Sequence, residues 1–238
     1  MKRWIFLFLL ALASLGAPTV QAGPWARAPG EVFLSFSQNM SSNAEALATG
    51  TMEMSAYSSI YAELGLGRGL TLGLDLGRGD YTDEAILFLR RTLTRPDARY
   101  QVAVDLGYGQ RRVDVLGDSQ LARVGLSFGR GFDSAALDWL PMEMAGGWVG
   151  LDAVAVYDLT RDEQRWKVEA TLGLRPTQRL SLMVQMVAEE WPGADVSFGL
   201  NPSVVFQIRE GTSIELGART SFDDNPRIGL ELGLWHQF

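Results

Sequence analysis

The feature that most constrains this chain is a two-residue alternation with one oily face that runs to its last residue. The sequence ends "GLELGLWHQF", with Leu230, Leu232 and Leu234 alternating with Gly229, Glu231 and Gly233 ahead of Phe238. The ends of soluble domains are usually frayed and polar, whereas this one reads as the middle of a strand. The same pattern fills the chain. "GLTLGLDLGRG" sets Leu70, Leu72, Leu74 and Leu76 against Thr71, Gly73, Asp75 and Gly77. "YQVAVDLGYG", "WKVEATLGL" and "TSIELGARTSF" repeat it. Strict alternation is the mark of a strand with two unlike faces, and no helical period competes over a comparable length.

Twelve such stretches are predicted, near residues 31–39, 52–66, 69–79, 85–95, 98–109, 119–130, 147–159, 164–175, 179–190, 195–209, 212–222 and 226–238. The fourth, "AILFLRRTLT", alternates poorly. A soluble β-sandwich also alternates, but three features oppose it. The stretches run to about ten to thirteen residues, where globular strands average about five or six and a tilted bilayer crossing needs about nine to eleven. The polar face carries charges near mid-strand, at Glu169, Glu215 and Glu231, opposite an unbroken apolar face. The connectors alternate in length: "GRG", "RPDA", "RPTQ" and "REG" are tight, while 40–51, 80–84, 110–118, 190–194 and 223–225 tend to be longer and more acidic. Short turns on one side and longer loops on the other suit a membrane barrel with periplasmic turns. Residues 131–146 break that rule as a long periplasmic connector, with a helical turn expected in "SAALDWL".

This topology places the outward aromatics without further assumption. Tyr108, Tyr157, Trp166, Phe198 and Phe222 fall at the outer end, and Tyr100, Phe128, Phe206 and Phe238 at the periplasmic end. Two aromatic girdles with Leu, Val, Ile and Ala between them are what two lipid–water interfaces select. In hydrocarbon every backbone group must be paired, so the sheet has to close.

The first 22 residues read as a secretory signal: Lys2 and Arg3, an apolar run from Ile5 to Gly16, and a small-residue cleavage site ending at Ala22. Without Lys2 and Arg3 the chain holds 19 basic against 28 acidic residues, a net charge of −9, which argues against a nucleic-acid partner. There is no cysteine, so packing and hydrogen bonds alone stabilise the exported domain, residues 23–238.

The signal, the β pattern and a final strand carrying Leu230, Leu232, Leu234 and Phe238 resemble bacterial outer-membrane β-barrel proteins. The "GPW…G…F" opening at residues 23–33 is similar to that of small proteobacterial barrels. The resemblance implies an all-β, closed antiparallel transmembrane barrel, with twelve strands and ten or fourteen as the nearest even alternatives. It implies location in the outer membrane among its lipids and lipopolysaccharide. It also implies that the terminal aromatic strand is read by the barrel-assembly machinery. His236 departs from the aromatic or apolar residue more usual at its position. No oligomeric state follows.

Catalytic signals are weak. "GLSFG" (Gly125–Gly129) matches a nucleophile-elbow pattern around Ser127, but an elbow needs a strand-to-helix turn and a histidine base. Ser127 sits mid-strand and the single histidine, His236, faces outward. The His and Cys counts offer no metal cluster, and no cofactor is expected. Glu189, Glu190, Asp223 and Asp224 read as loop acids. What remains is a polar inner face with glycines at Gly73, Gly77, Gly107, Gly125, Gly173, Gly199, Gly217 and Gly233. They either relieve a crowded, curved wall or leave water-filled space. The expected lumen-lining charges are Asp75, Asp105, Arg123, Asp152, Asp158, Arg165, Lys167, Glu169, Glu215, Arg219, Arg227 and Glu231, with Asp158 placed across a hairpin from Arg165 or Lys167. Their near-balance gives no strong ion selectivity. The expected function is a narrow diffusion channel for small polar solutes, not an enzyme. The competing reading is a closed, salt-bridged barrel that stabilises the membrane or presents loops to a partner.

Overall fold

A computed structural model describes residues 23–51, 54–137, 143–223 and 225–238; the signal segment lies outside them. Twelve antiparallel strands form one closed barrel, each paired with its neighbours in sequence and the last with the first. They are β1 (Val32–Asn43), β2 (Ser55–Gly67), β3 (Leu70–Arg78), β4 (Thr82–Thr92), β5 (Gln101–Val113), β6 (Gly117–Phe132), β7 (Gly146–Asp158), β8 (Glu163–Arg175), β9 (Leu180–Glu190), β10 (Ser197–Arg209), β11 (Thr212–Ser221) and β12 (Arg227–Gln237). The seam pairs β1 with β12 from Phe33 opposite Gln237 to Asn43 opposite Arg227. No open edge remains to recruit another chain.

The turns follow from local chemistry. At the rim where β1 begins and β12 ends, the lower rim, Arg68 and Gly69 link β2 to β3 with φ of 54° and 76°. Two consecutive positive φ values give the turn hand that matches the twist of the flanking strands. At the upper rim, Asp158 Oδ1 accepts from the backbone N–H groups of Thr160 and Arg161 at 3.0 Å each, closing the β7–β8 loop. A short helix, α1 (Ala44–Thr49), caps the β1–β2 loop; Asn43 accepts from Glu45 and Ala46, and Gly50 ends the helix at φ 75°.

Several strand boundaries differ from expectation: β2 begins at Ser55 where 52 was expected, and β5 spans Gln101–Val113 where 98–109 was expected. β1 runs on to Asn43, because Ser41 and Ser42 keep pairing with β12, where the sequence places a loop from residue 40. β4 lies three residues earlier than expected, and its poor alternation has a physical cause. Ile86 and Phe88 point inward, each about 1% exposed, while Leu87 and Leu89 point outward at 54% and 45%. Periodicity separates two faces only when their polarity differs.

The barrel is inside-out relative to a soluble domain. Leu34, Ile60, Leu106, Val124, Leu216 and Leu230 are among many outward apolar side chains that are more than a third exposed, spread over the whole circumference. The largest apolar patch on a soluble monomer is roughly 300–600 Å², so a belt on every strand is a lipid-facing surface. Tyr100, Tyr108, Tyr157, Phe198, Phe206, Phe222 and Phe238 are exposed at its two borders. Trp166 is half-buried there, its Nε1 donating to Glu190. Tyr100 stacks on Phe128 at 6.0 Å.

Candidate functional site: the barrel interior

Inward side chains surround one cavity of about 780 Å³. Its wall reaches from Ser41, Ser197, Asp223 and Arg227 at the upper rim down to Gly23, Phe33, Trp148, Met183 and Trp235. Eleven of the twelve charges expected inside line it: Asp75, Asp105, Arg123, Asp152, Arg165, Lys167, Glu169, Glu215, Arg219, Arg227 and Glu231. Asp158 does not. It pairs across the hairpin with Glu163, not with Arg165 or Lys167, and bonds Arg161 at 3.3 Å. The four-residue loop pushes the bases two and four positions farther down β8, and the carboxylate is used as a loop cap.

The interior charges fall into separate sets. Below, Glu63 accepts from Arg90 at 2.5 Å and Arg27 at 2.7 Å, and the Tyr61 hydroxyl donates to it at 2.6 Å. Arg90 lies 3.9 Å from Asp105, which accepts from Arg123 at 2.9 Å; Arg123 also reaches Asp75 at 3.2 Å. Above, Glu84 accepts from Arg111 at 2.9 Å and from Arg165. Trp191, from the β9–β10 loop, lies against both guanidinium groups, 4.6 Å from Arg165 and 5.6 Å from Arg111. On the far wall Lys167 pairs with Glu169, and Arg219 stands 3.7 Å from Glu231. Asp152 and Glu215 have no ion-pair partner among the described residues. At the upper rim the Ser197 hydroxyl donates to Asp223 at 2.7 Å and holds that carboxyl below its ordinary range.

The inner glycines are covered rather than vacant. A Cβ on Gly73 would lie 2.0 Å from Phe88, one on Gly173 would lie 2.3 Å from Trp148, and one on Gly125 would lie 2.2 Å from Asp105. Large neighbours lie across the gaps, as they do where aromatics shield strand glycines. Phe88 then carries Arg123 over its ring at 4.5 Å.

One element of the interior is absent from the sequence reading. Residues 23–31 turn up into the barrel from its lower rim. Thr92 donates to the Pro24 carbonyl at 2.9 Å, Arg90 donates to the Gly23 carbonyl at 3.0 Å, and Arg27 is 6% exposed. Trp25 packs on the cluster of Trp148, Met183, Val205 and Trp235. Gly65 permits the entry: a Cβ there would sit 1.9 Å from the Ala28 carbonyl oxygen. An isolated strand glycine marks such a close backbone approach, and it was the available signal.

Other candidates resolve simply. Ser127 lies mid-β6 opposite Asp152, with no histidine beside it among the described residues. His236 Nδ1 is 2.9 Å from the Thr212 hydroxyl on the outer face. Glu189 lines the cavity and Glu190 meets Trp166; Asp224 lies outside the described residues. In the connector from 131 to 146, the expected helical turn is a 3-10 turn at Ser134–Leu137, and Asp138 to Met142 lie outside the described residues.

No family model and no curated protein matches the chain in sequence. Solved structures match in fold. The chain is similar to KdgM porin, at TM-score 0.61 and 5% identity, over 87% of this chain and 99% of that one. It is similar to the COG4313 outer membrane channel from Pseudomonas putida F1, at 0.62 and 10%, over 92% and 100%. It is also similar to the CymD monoaromatic hydrocarbon channel, at 0.53 and 7%, over 94% and 96%. The chain has the fold of bacterial outer-membrane β-barrel proteins.

Proposed function

We propose that this barrel is an outer-membrane channel for small polar solutes, with its lower rim in the periplasm. The observation that carries the reading is the 780 Å³ cavity, lined by charged side chains, running down from the upper rim; three solved barrels of like fold bear names of channels. Among the described residues the cavity wall holds nine acidic side chains against six basic ones. Fixed charge in a narrow, low-dielectric pore acts on every ion that passes, so cations and neutral solutes pass more readily than anions. Most of the excess lies from β7 to β12, where six of the acids face four of the bases.

The alternative, a closed structural barrel, draws on the segment at residues 23–31 that floors the cavity. Planar-bilayer recording of refolded residues 23–238 separates the two. Steady unitary currents with a cation-favouring reversal potential are expected. A folded, heat-modifiable barrel that stays silent, and that passes no small sugars in liposome swelling, overturns the channel reading in favour of the closed barrel.

A further inference from the structure

Asp152 stands out among the interior acids. It points into the cavity between Ser127 and Glu169, its partners across β6 and β8. One of these neighbours is a hydroxyl, but the other is a second carboxylate. Like charges directly opposite on a sheet destabilise it, and Glu169 is already matched by Lys167. The nearest guanidinium, Arg90, is held by Glu63, Tyr61 and the Gly23 carbonyl. A half-buried carboxylate that faces a second one is relieved by a cation beside it.

Gly23 is at that place. The position a Cβ would take on Gly23 lies 3.9 Å from Asp152 Oδ2, and the residue has φ of 114°, open only to glycine. An N-terminus created at Gly23 would hang an α-ammonium from the same Cα. Arg90 fixes the carbonyl oxygen of the residue, which keeps its Cα beside the carboxylate.

We infer that export cleavage after Ala22 frees the α-ammonium of Gly23, which docks on Asp152 as its missing counter-ion and locks residues 23–31 as the floor of the lumen. Three contacts then hold the floor: the ammonium on Asp152, Arg27 on Glu63, and Trp25 on the Trp148–Trp235 cluster. Before cleavage the same nitrogen is an uncharged amide, so the lock forms only in the processed chain. The docking stands independently of transport; the gating role of the floor rests on the channel reading above.

The sequence supplies a convenient probe, because Lys167 is the only lysine beyond residue 22. Amine-reactive labelling of refolded residues 23–238, read by mass spectrometry, therefore reports two sites. The Gly23 amine is expected to label roughly tenfold more slowly in the folded barrel than in urea. Asp152→Asn, and separately one extra Met ahead of Gly23, are expected to abolish that protection while heat-modifiability confirms the fold. Equal labelling rates in folded and unfolded wild type overturn the docking. In bilayers, deletion of residues 24–30 is expected to raise unitary conductance several-fold, and Asp152→Asn to produce frequent transitions toward that level. Unchanged conductance on deletion overturns the gate. Silence from both wild type and deletion sinks the channel reading instead, and the labelling still decides the docking.

Discussion

Phe238 and Val32 exchange both of their main-chain hydrogen bonds. The Val32 N–H donates to the Phe238 carbonyl at 2.8 Å, and the Phe238 N–H donates to Val32 at 3.0 Å. The last residue is thus bound to the first residue of the first strand, and the alternation that persists to the terminus is explained by seam closure.

Deleting Phe238 removes both bonds, at about 1 kcal/mol each, and unpairs the seam at its lower end. A reduced yield of refolded, heat-modifiable barrel is expected. Phe238→Leu keeps the backbone pair, so its refolding in detergent should match wild type. Its assembly in cells should still fall if the terminal aromatic is what the assembly machinery reads. Equal cellular assembly of Phe238→Leu and wild type would remove that role.

Gly73 and Phe88 form a matched pair across β3 and β4. A Cβ 2.0 Å from the Phe88 ring cannot be accommodated without moving it, and Arg123 lies over that ring at 4.5 Å. Gly73→Ala is expected to cost about 1–3 kcal/mol by overpacking, read as a lower denaturant midpoint. The double variant with Phe88→Ala should lose much less than the two single effects combined, because neighbours in contact are not additive. Additive losses would show that the glycine serves backbone bending rather than the ring.

The legibility of this fold tracks the polarity contrast between its two faces. Strands such as β3, β5 and β12 have lipid on one side and water or charge on the other, and their ranges and orientation were readable within a few residues. β4 was harder because Phe88 and Ile86 fill the lumen with apolar mass. The charges inside were readable as a set, but their partners were not. Partnership depends on register around the ring: Glu84 meets Arg165, four strands away. Asp158 was misplaced by a turn geometry that sequence spacing does not encode. The segment at residues 23–31 was missed because it has neither helical nor strand period, and its only mark is the small residue it leans on, Gly65.

Burial separates the ion pairs that matter from those that do not. Arg27 and Glu63 are 6% and 2% exposed at the side chain, and Arg78 and Asp83 are 77% and 50%. Glu63→Gln leaves Arg27 and Arg90 short of a counter-charge in the interior, a loss of about 3 kcal/mol or more. Arg78→Ala should change stability by less than about 1 kcal/mol. Urea titration of the two variants tests the ranking, and a larger loss for Arg78→Ala would contradict the buried network.

Glu84 is the single acid between two guanidinium groups at the upper half of the cavity. Glu84→Gln leaves Arg111 and Arg165 beneath Trp191 with their charge uncompensated. In a salt gradient across a bilayer the reversal potential should then move toward anion selectivity. Arg219→Gln removes the cation facing Glu231, close to Glu215, and should move it toward stronger cation selectivity. The two shifts are opposite in sign because the substitutions delete opposite charges from one lumen. A pore elsewhere, or a leak around the barrel, would respond to neither. Salt weakens both shifts as the screening length falls from roughly 10 Å at 0.1 M to 3 Å at 1 M, so the measurement belongs at low ionic strength. Shifts of equal sign would show that Glu84 and Arg219 act through the shape of the barrel and not through the charge that its interior presents to passing ions.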